Sequence, residues 1–274
     1  MPELPEVETF AANLRSGVGD QPSICGHTIT AGEVLWPRTL ALPEITEFER
    51  RLPGQAIVDI RRRGKYLVLQ LSQDYLLIHL RMSGDLLLKQ DESEPDLHTR
   101  LVISFEDGLR LAFNDPRKFG RVWLVSDPET VLAKLGPEPL DEEFTPQMLY
   151  GMLHRYRRQL KPLLLDQSFI AGLGNIYTDE ALHMACLHPL VNSNDIAHGQ
   201  TERLWVSIRR VLQEAIQVNG ASIDWVYRGG GYQNNFRVYD RAGEPCLVCG
   251  TAVERIVVGQ RGTHFCPNCQ PAPD

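Results

Sequence analysis

Four cysteines near the carboxyl end, spaced Cys246-x2-Cys249-x16-Cys266-x2-Cys269, constrain this 274-residue chain more than any other feature. Two such pairs at that separation place four thiolates tetrahedrally around one Zn2+, each pair forming one knuckle. The competing assignment is a disulfide framework. The amino end, MPELPEVETF, is acidic and lacks a basic segment followed by an apolar run, so it does not read as a secretion signal, and a reducing compartment favours metal. Four sulfurs leave no open coordination position, so the expected zinc is structural. Between the knuckles, residues 257–265 read as a β-hairpin with Arg261 near its tip. Cys25 and Cys186 have no partner pattern and are expected to be buried apolar fillers.

A ribbon of this kind accounts for only the last part of the chain. With 43% hydrophobic residues, the remainder is long enough to build two buried cores. The apolar stretches, such as residues 76–78, are too short to cross a bilayer, so a soluble cytoplasmic protein without a membrane partner is expected. The net charge of −7 argues mildly against a protein that coats nucleic acid. Distribution matters more than the sum. Bases cluster in Arg61-Arg62-Arg63-Gly64-Lys65, in Arg117-Lys118 with Arg121, and in Arg155-Tyr156-Arg157-Arg158 with Lys161. Each cluster is either part of a cationic face that holds phosphates or an ordinary solvated surface.

Punctuation along the chain gives a coarse architecture. Pro5 suits a first helical turn, Val7, Phe10, Ala11 and Leu14 recur at helical spacing, and Gly17 closes the element. Segments 28–36, 66–71, 75–80, 101–105 and 109–113 read as strands, with a Glu106-Asp107-Gly108 turn between the last two. A proline-bearing acidic stretch, residues 126–146, has the composition of a linker. Helical spacing returns in 147–158, 177–185 and 201–218. The expected class is therefore α+β multidomain. Residues 1–130 form an N-terminal antiparallel β-sandwich with a flanking helix, 131–146 a linker, 147–235 a helical domain and 236–274 the zinc ribbon.

The amino terminus carries a candidate nucleophile. Removal of Met1 would leave Pro2 with a free secondary amine, and an α-amino group titrates near pH 8, so part of it is unprotonated at neutral pH and able to attack an aldehydic carbon. A Met-Pro start on its own is common and carries little. The blocks that follow carry much more: PELPEVET, RGKYLVL, HLRMSG, NDPRKFG, IAGLGNIY and the QRGT segment of the ribbon resemble the bacterial formamidopyrimidine-DNA glycosylases. They run in the family's order from residue 2 to residue 270, so the resemblance covers nearly the whole chain.

The resemblance implies a β-sandwich, a helix-two-turns-helix domain and a zinc ribbon, with DNA in the cleft between the two lobes. It implies a monomeric base-excision-repair enzyme acting on double-stranded DNA that contains oxidised bases or abasic sites. Pro2 is then the nucleophile that forms a Schiff base with C1′, Glu3 the acid/base, and Glu6 the residue that holds the amine and helix end. Lys65 is a second essential amine at phosphate, and Arg261 grips phosphates beside the lesion. Asn175 is a phosphate ligand at a helix amino terminus, and Lys161 and His98 match further DNA-contacting positions. Met82, Arg117 and Phe119 match the residues that fill the void left by the extruded nucleotide, where a guanidinium suits an orphaned cytosine. Read alone, Glu3 and Glu6 are helix-terminus charges, Lys65 is a surface lysine, and Met82 and Phe119 are core residues.

Two departures stand out. The Arg155–Arg158 run replaces a lysine-rich one, and the stretch 221–236, where the family carries a loop over the flipped base, reads as a few residues shorter with Gly229-Gly230-Gly231 at its centre. The shortening implies weaker discrimination of 8-oxoguanine from formamidopyrimidines. Two other readings stand beside the purine glycosylase. One is the endonuclease VIII-like branch that prefers oxidised pyrimidines; the other is a non-catalytic binder of damaged DNA.

Overall fold

The computed structural model describes residues 1–90, 94–222 and 229–273. The chain falls into two compact units, one formed by Met1–Ala133 with Ser222 and Gly229, and one by Lys134–Ala221 together with residues from Gly230 onward.

The first unit is a two-sheet sandwich with α1 (Leu4–Ser16) beside it, followed by β1 (Ile29–Val34), β2 (Leu40–Leu42), α2 (Ile45–Arg51), β3 (Ile57–Arg63), β4 (Tyr66–Leu71), β5 (Tyr75–His79), β6 (Asp85–Lys89), β7 (Thr99–Phe105), β8 (Arg110–Asn114), β9 (Arg121–Val125) and α3 (Glu129–Leu132). One sheet has the order β1-β7-β8-β6 and the other β2-β9-β5-β4-β3. All pairings are antiparallel except β2 with β9. Alternate residues of both sheets, among them Ile60, Leu67, Leu69, Ile78, Leu101, Ile103 and Phe113, meet Val7, Ala11, Phe48 and Leu52 in one core, as the period of two in the strands dictates.

The second unit contains α4 (Pro146–His154), α5 (Leu160–Leu164), α6 (Asn175–Met184), α7 (His198–Gln217), β10 (Glu254–Val258) and β11 (Arg261–Phe265). The expected helix over 147–158 stops at His154. Its continuation is taken by Ser193, whose hydroxyl donates to Tyr156 O (2.5 Å) and whose N–H donates to Arg158 O (2.8 Å), so the basic run is a pinned loop. The second half of the proline-bearing stretch is also held in place. Phe144 is buried, Trp205 Nε1 donates to its carbonyl (2.5 Å), and Arg209 Nη1 donates to Pro139 O (2.9 Å) and Asp141 O (2.8 Å). Beyond α7 the chain closes on itself: Gly231 N–H donates to Val218 O (2.8 Å) and Tyr232 N–H to Gly220 O (2.9 Å). None of the described helices is long and apolar enough to cross a membrane.

Candidate functional site

The candidate residues fall into three groups of side chains, each within one unit. The first lies at the amino end of α1. Pro2, Glu3, Glu6 and Lys65 are all buried, although carboxylates and lysines rarely are without partners. Glu6 Oε2 accepts the Glu3 N–H (2.8 Å), satisfying a donor that the first helical turn cannot bond internally. Two contacts set the direction of α1 along β3: Arg62 Nε donates to Glu8 Oε2 (3.0 Å), and Arg15 Nη1 donates to Ile60 O (2.9 Å). The helix therefore starts at the end of the sheet where β3 turns into β4. That turn is the two residues Gly64-Lys65, between the paired Arg63 and Tyr66, and Gly64 takes the positive φ (57°) that a tight hairpin needs. Lys65 is thus carried on a short connection between two core strands. Within the Arg61–Arg63 run, Arg62 is turned inward onto Glu8, so the cluster is not a uniform cationic face.

Close to Lys65 is His79, paired across the sheet with Tyr66 and edge-on to its ring at 4.6 Å. Burial, reinforced by the neighbouring Arg81 and Lys65 charges, pushes His79 down to about 3, so the ring is neutral and Nδ1 accepts the Arg81 N–H (3.0 Å).

The second group lies on loops at one end of the sandwich. Met82 and Phe119 are 37% and 49% exposed, which removes the alternative that they are core residues. Arg117 lies over the Phe119 ring, with Cζ 5.2 Å from the centroid. His98 is exposed. Its Nδ1 faces Arg100 Nη2 at 3.4 Å, and because arginine only donates, the proton of a neutral His98 belongs on Nε2.

The third group joins α6 to the ribbon. Cys246, Cys249, Cys266 and Cys269 bring their sulfurs within 4.8 Å of one another, and tetrahedral Zn–S bonds of about 2.3 Å need sulfur separations of ~3.8 Å. Val248 N–H donates to Cys246 Sγ (3.5 Å) and Cys269 N–H to Cys266 Sγ (3.4 Å), the support that thiolates need. The donor set fits one structural zinc. The ribbon's own buried hydrophobic cluster is Val238, Cys246, Val253 and Cys266, too small to hold two hairpins without metal. Cys25 is half-buried and Cys186 is exposed at φ 56°, so the expectation of two buried fillers is corrected. Cys186 closely follows α6, where the chain must reverse in a left-handed conformation.

α6 presents a polar stripe to the ribbon. Asn175 Nδ2 donates to Gly262 O (3.0 Å), Asp179 Oδ2 accepts the His264 N–H (2.8 Å), and His183 Nε2 lies 3.4 Å from Cys246 Sγ. Glu180 accepts the N–H groups of Arg237, Val238 and Tyr239 (2.8, 3.0 and 2.8 Å); its burial pushes the carboxyl up against the pull of those donors. Lys161 has no exposed surface: Nζ lies 2.5 Å from Asp179 Oδ1 and donates to Gly262 O (3.1 Å). Arg261, one residue before that carbonyl, is exposed at the start of β11. Sequence patterns do not single out Asp179, Glu180 or His183. The available signal is the spacing of Asn175, Asp179 and His183 at every fourth residue, which puts three polar side chains on one face of the helix.

The regions that carry these side chains match known domains. The chain matches the formamidopyrimidine-DNA glycosylase N-terminal domain over residues 1–122, that family's H2TH domain over 135–226, and the zinc finger found in FPG and IleRS over 243–272. A formamidopyrimidine-DNA glycosylase from Chloroflexus aurantiacus is 46% identical over 98% of both chains, and one from Protochlamydia amoebophila is 43% identical over 98% of this chain and 99% of its own. The chain belongs to the formamidopyrimidine-DNA glycosylase family.

Solved glycosylases of the family agree in shape. A Lactococcus lactis FPG variant in complex with DNA containing Fapy-dG superposes with a TM-score of 0.91 at 37% identity, covering 99% of this chain and all of that one. The L. lactis glycosylase bound non-covalently to DNA with an AP site gives 0.90 at 38%, covering 98% and 100%. The loop that the resemblance places over the flipped base falls partly on residues 223–228, which lie outside the described residues, so the expected shortening has no structural counterpart to report.

Proposed function

We propose that this chain is a bifunctional DNA glycosylase and AP lyase. It removes 8-oxoguanine and formamidopyrimidines from double-stranded DNA, then cuts the strand, and it works as a cytoplasmic monomer. The observation that carries the reading is the burial of Pro2, Glu3, Glu6 and Lys65, the first three at a helix start where Glu6 accepts the Glu3 N–H and the last on a two-residue hairpin. In the chain with Met1 present, the Pro2 nitrogen is an amide. Once Met1 is removed it is a secondary amine.

The Pro2 lone pair then bonds to C1′, and the bond from C1′ to the base breaks with its electrons leaving on the base, which takes up a proton. Glu3 gives a proton to the ring oxygen as the sugar opens, and an iminium is left between Pro2 and C1′. The positive iminium makes the C2′ proton acidic. Its loss expels the 3′ phosphate, and a second proton loss expels the 5′ phosphate, with Lys65 and Arg261 at the phosphates and Arg261 as proton donor. Glu6 holds the helix end. Met82, Arg117 and Phe119 fill the vacated stack, His98 and Asn175 contact the backbone, and Lys161 acts through the Gly262 carbonyl rather than on DNA. The zinc holds the ribbon and takes no part in bond making.

Borohydride reduction during turnover on an 8-oxoguanine duplex is expected to trap a covalent adduct, and Pro2→Gly is expected to lose base excision. Undiminished trapping in a protein whose amino terminus is blocked would overturn the assignment of Pro2. The relatives' names and the Fapy-dG complexes support oxidised purines, while one solved relative is bound to DNA with an oxidised pyrimidine, so preference for cytosine opposite the lesion is the measurement that separates the two branches.

A further inference from the structure

Met82, His98, Arg117 and Phe119 sit on three separate loops, yet one buried side chain and its own backbone reach all three. Asp115 Oδ1 accepts the Ser83 hydroxyl and the Arg117 N–H (3.1 Å), and Oδ2 accepts the Gly120 N–H (2.7 Å). Its own N–H donates to His98 O (2.9 Å), and its carbonyl accepts from Arg100 Nε (2.8 Å) and the Lys118 N–H (3.2 Å). Ser83, itself buried, also receives the Arg117 N–H on its oxygen at 3.3 Å.

Two further observations show that this arrangement is tightly constrained. The Phe113 ring lies under the loops that carry Met82 and Phe119 so closely that a Cβ at Gly84 or Gly120 would stand 2.8 or 2.3 Å from it. Arg81 and Lys118, which immediately precede Met82 and Phe119, hold left-handed backbone conformations (φ 57° and 60°) that side-chain-bearing residues adopt only when their surroundings impose them. Arg81 is held by His79 Nδ1, and Lys118 Nζ sits 3.9 Å above the Trp36 ring.

We propose that Asp115 is the positioning residue of the DNA-probing surface, fixing Met82, Arg117 and Phe119 in their inserting geometry before DNA arrives. The inference rests on the proposed role of those three residues as void fillers. Groups already ordered lose little conformational freedom on insertion, so less of the binding free energy is spent on arranging them. A carboxylate is required because its partners, one hydroxyl and two amide N–H groups, all donate. An asparagine of the same shape has one acceptor oxygen and must turn its NH2 toward one of those donors.

The test compares wild type, Asp115→Asn and Ser83→Ala on two substrates under single-turnover conditions: an 8-oxoguanine·cytosine duplex, where a base must be extruded, and a single strand carrying a preformed abasic site, where none is. We expect excision from the duplex to fall about tenfold in Asp115→Asn and about threefold in Ser83→Ala, as loss of buried hydrogen bonds predicts. Cleavage of the abasic single strand should stay within about twofold in both. Equal losses on both substrates, or no loss on either, overturn the inference; if Asp115→Asn does not fold, the behaviour of Ser83→Ala decides it. If wild type itself neither excises nor forms an adduct, the proposed function fails, a result separable from failure of the positioning role.

Discussion

Lys161 Nζ and Asp179 Oδ1 lie 2.5 Å apart with neither side chain reaching solvent, and together they hold strand β11 of the ribbon hairpin through Gly262 O and His264 N. Removing one member of such a pair leaves an uncompensated buried charge and costs about 3–5 kcal/mol. Lys161→Met and Asp179→Asn should each lower urea stability by that order. The double variant should lose less than the sum, with equilibrium unfolding of the four proteins as the check.

The same burial separates Lys161 from Arg261 in DNA binding. Each phosphate neutralised contributes roughly one to the slope of log affinity against log salt. Arg261→Ala should reduce that slope by about one, whereas Lys161→Met, whose charge is already answered by Asp179, should leave it unchanged. Filter binding or fluorescence anisotropy across a salt series measures it, and a reduced slope in Lys161→Met would place that ammonium at a phosphate.

Zinc removal should undo the ribbon and little else. Structural zinc contributes roughly 10–16 kcal/mol in small thiolate modules, far more than four buried side chains can supply. Metal analysis is expected to find one zinc per chain. After chelation in native buffer, proteolysis should cut within residues 236–273 while the sandwich stays resistant.

His79 should make the first unit acid-sensitive. Its ring titrates near 6.5 when unfolded and is held down to about 3 in the fold by burial, then by Arg81 and Lys65. Below pH 6.5 the unfolded chain therefore binds a proton that the folded chain refuses. Stability is complete above that pH and declines as the pH falls toward 3, at up to roughly 1.4 kcal/mol per pH unit. His79→Asn, which keeps an acceptor for the Arg81 N–H, should flatten the decline in thermal unfolding followed from pH 7 to pH 4.

Much of this architecture is legible from the residues. Pro5 and Gly17 bound α1 to within a residue, and the cysteine spacing alone locates the metal centre. Strands β3, β6 and β9 are harder to read. β3 ends in three arginines that look like a surface cluster, and only the fold turns Arg62 onto Glu8. Helix α4 ends early because Ser193, far along the chain, claims the backbone of Tyr156 and Arg158, a competition that no local pattern carries. Asp115 stands inside the NDPRKFG block, but spacing gives no hint that one residue serves three loops. Resemblance alone puts Lys161 at DNA; the structure turns it inward because Asp179, a turn into α6, offers a partner that water would have to match.

The closure of residues 230–232 onto the end of α7 also fixes the root of the ribbon. With Gly231 bonded to Val218 and Tyr232 to Gly220, and with Glu180 gripping three successive amides from Arg237 to Tyr239, the chain is anchored on two helices before it reaches the first cysteine. Metal loss would thus loosen the module without releasing its root.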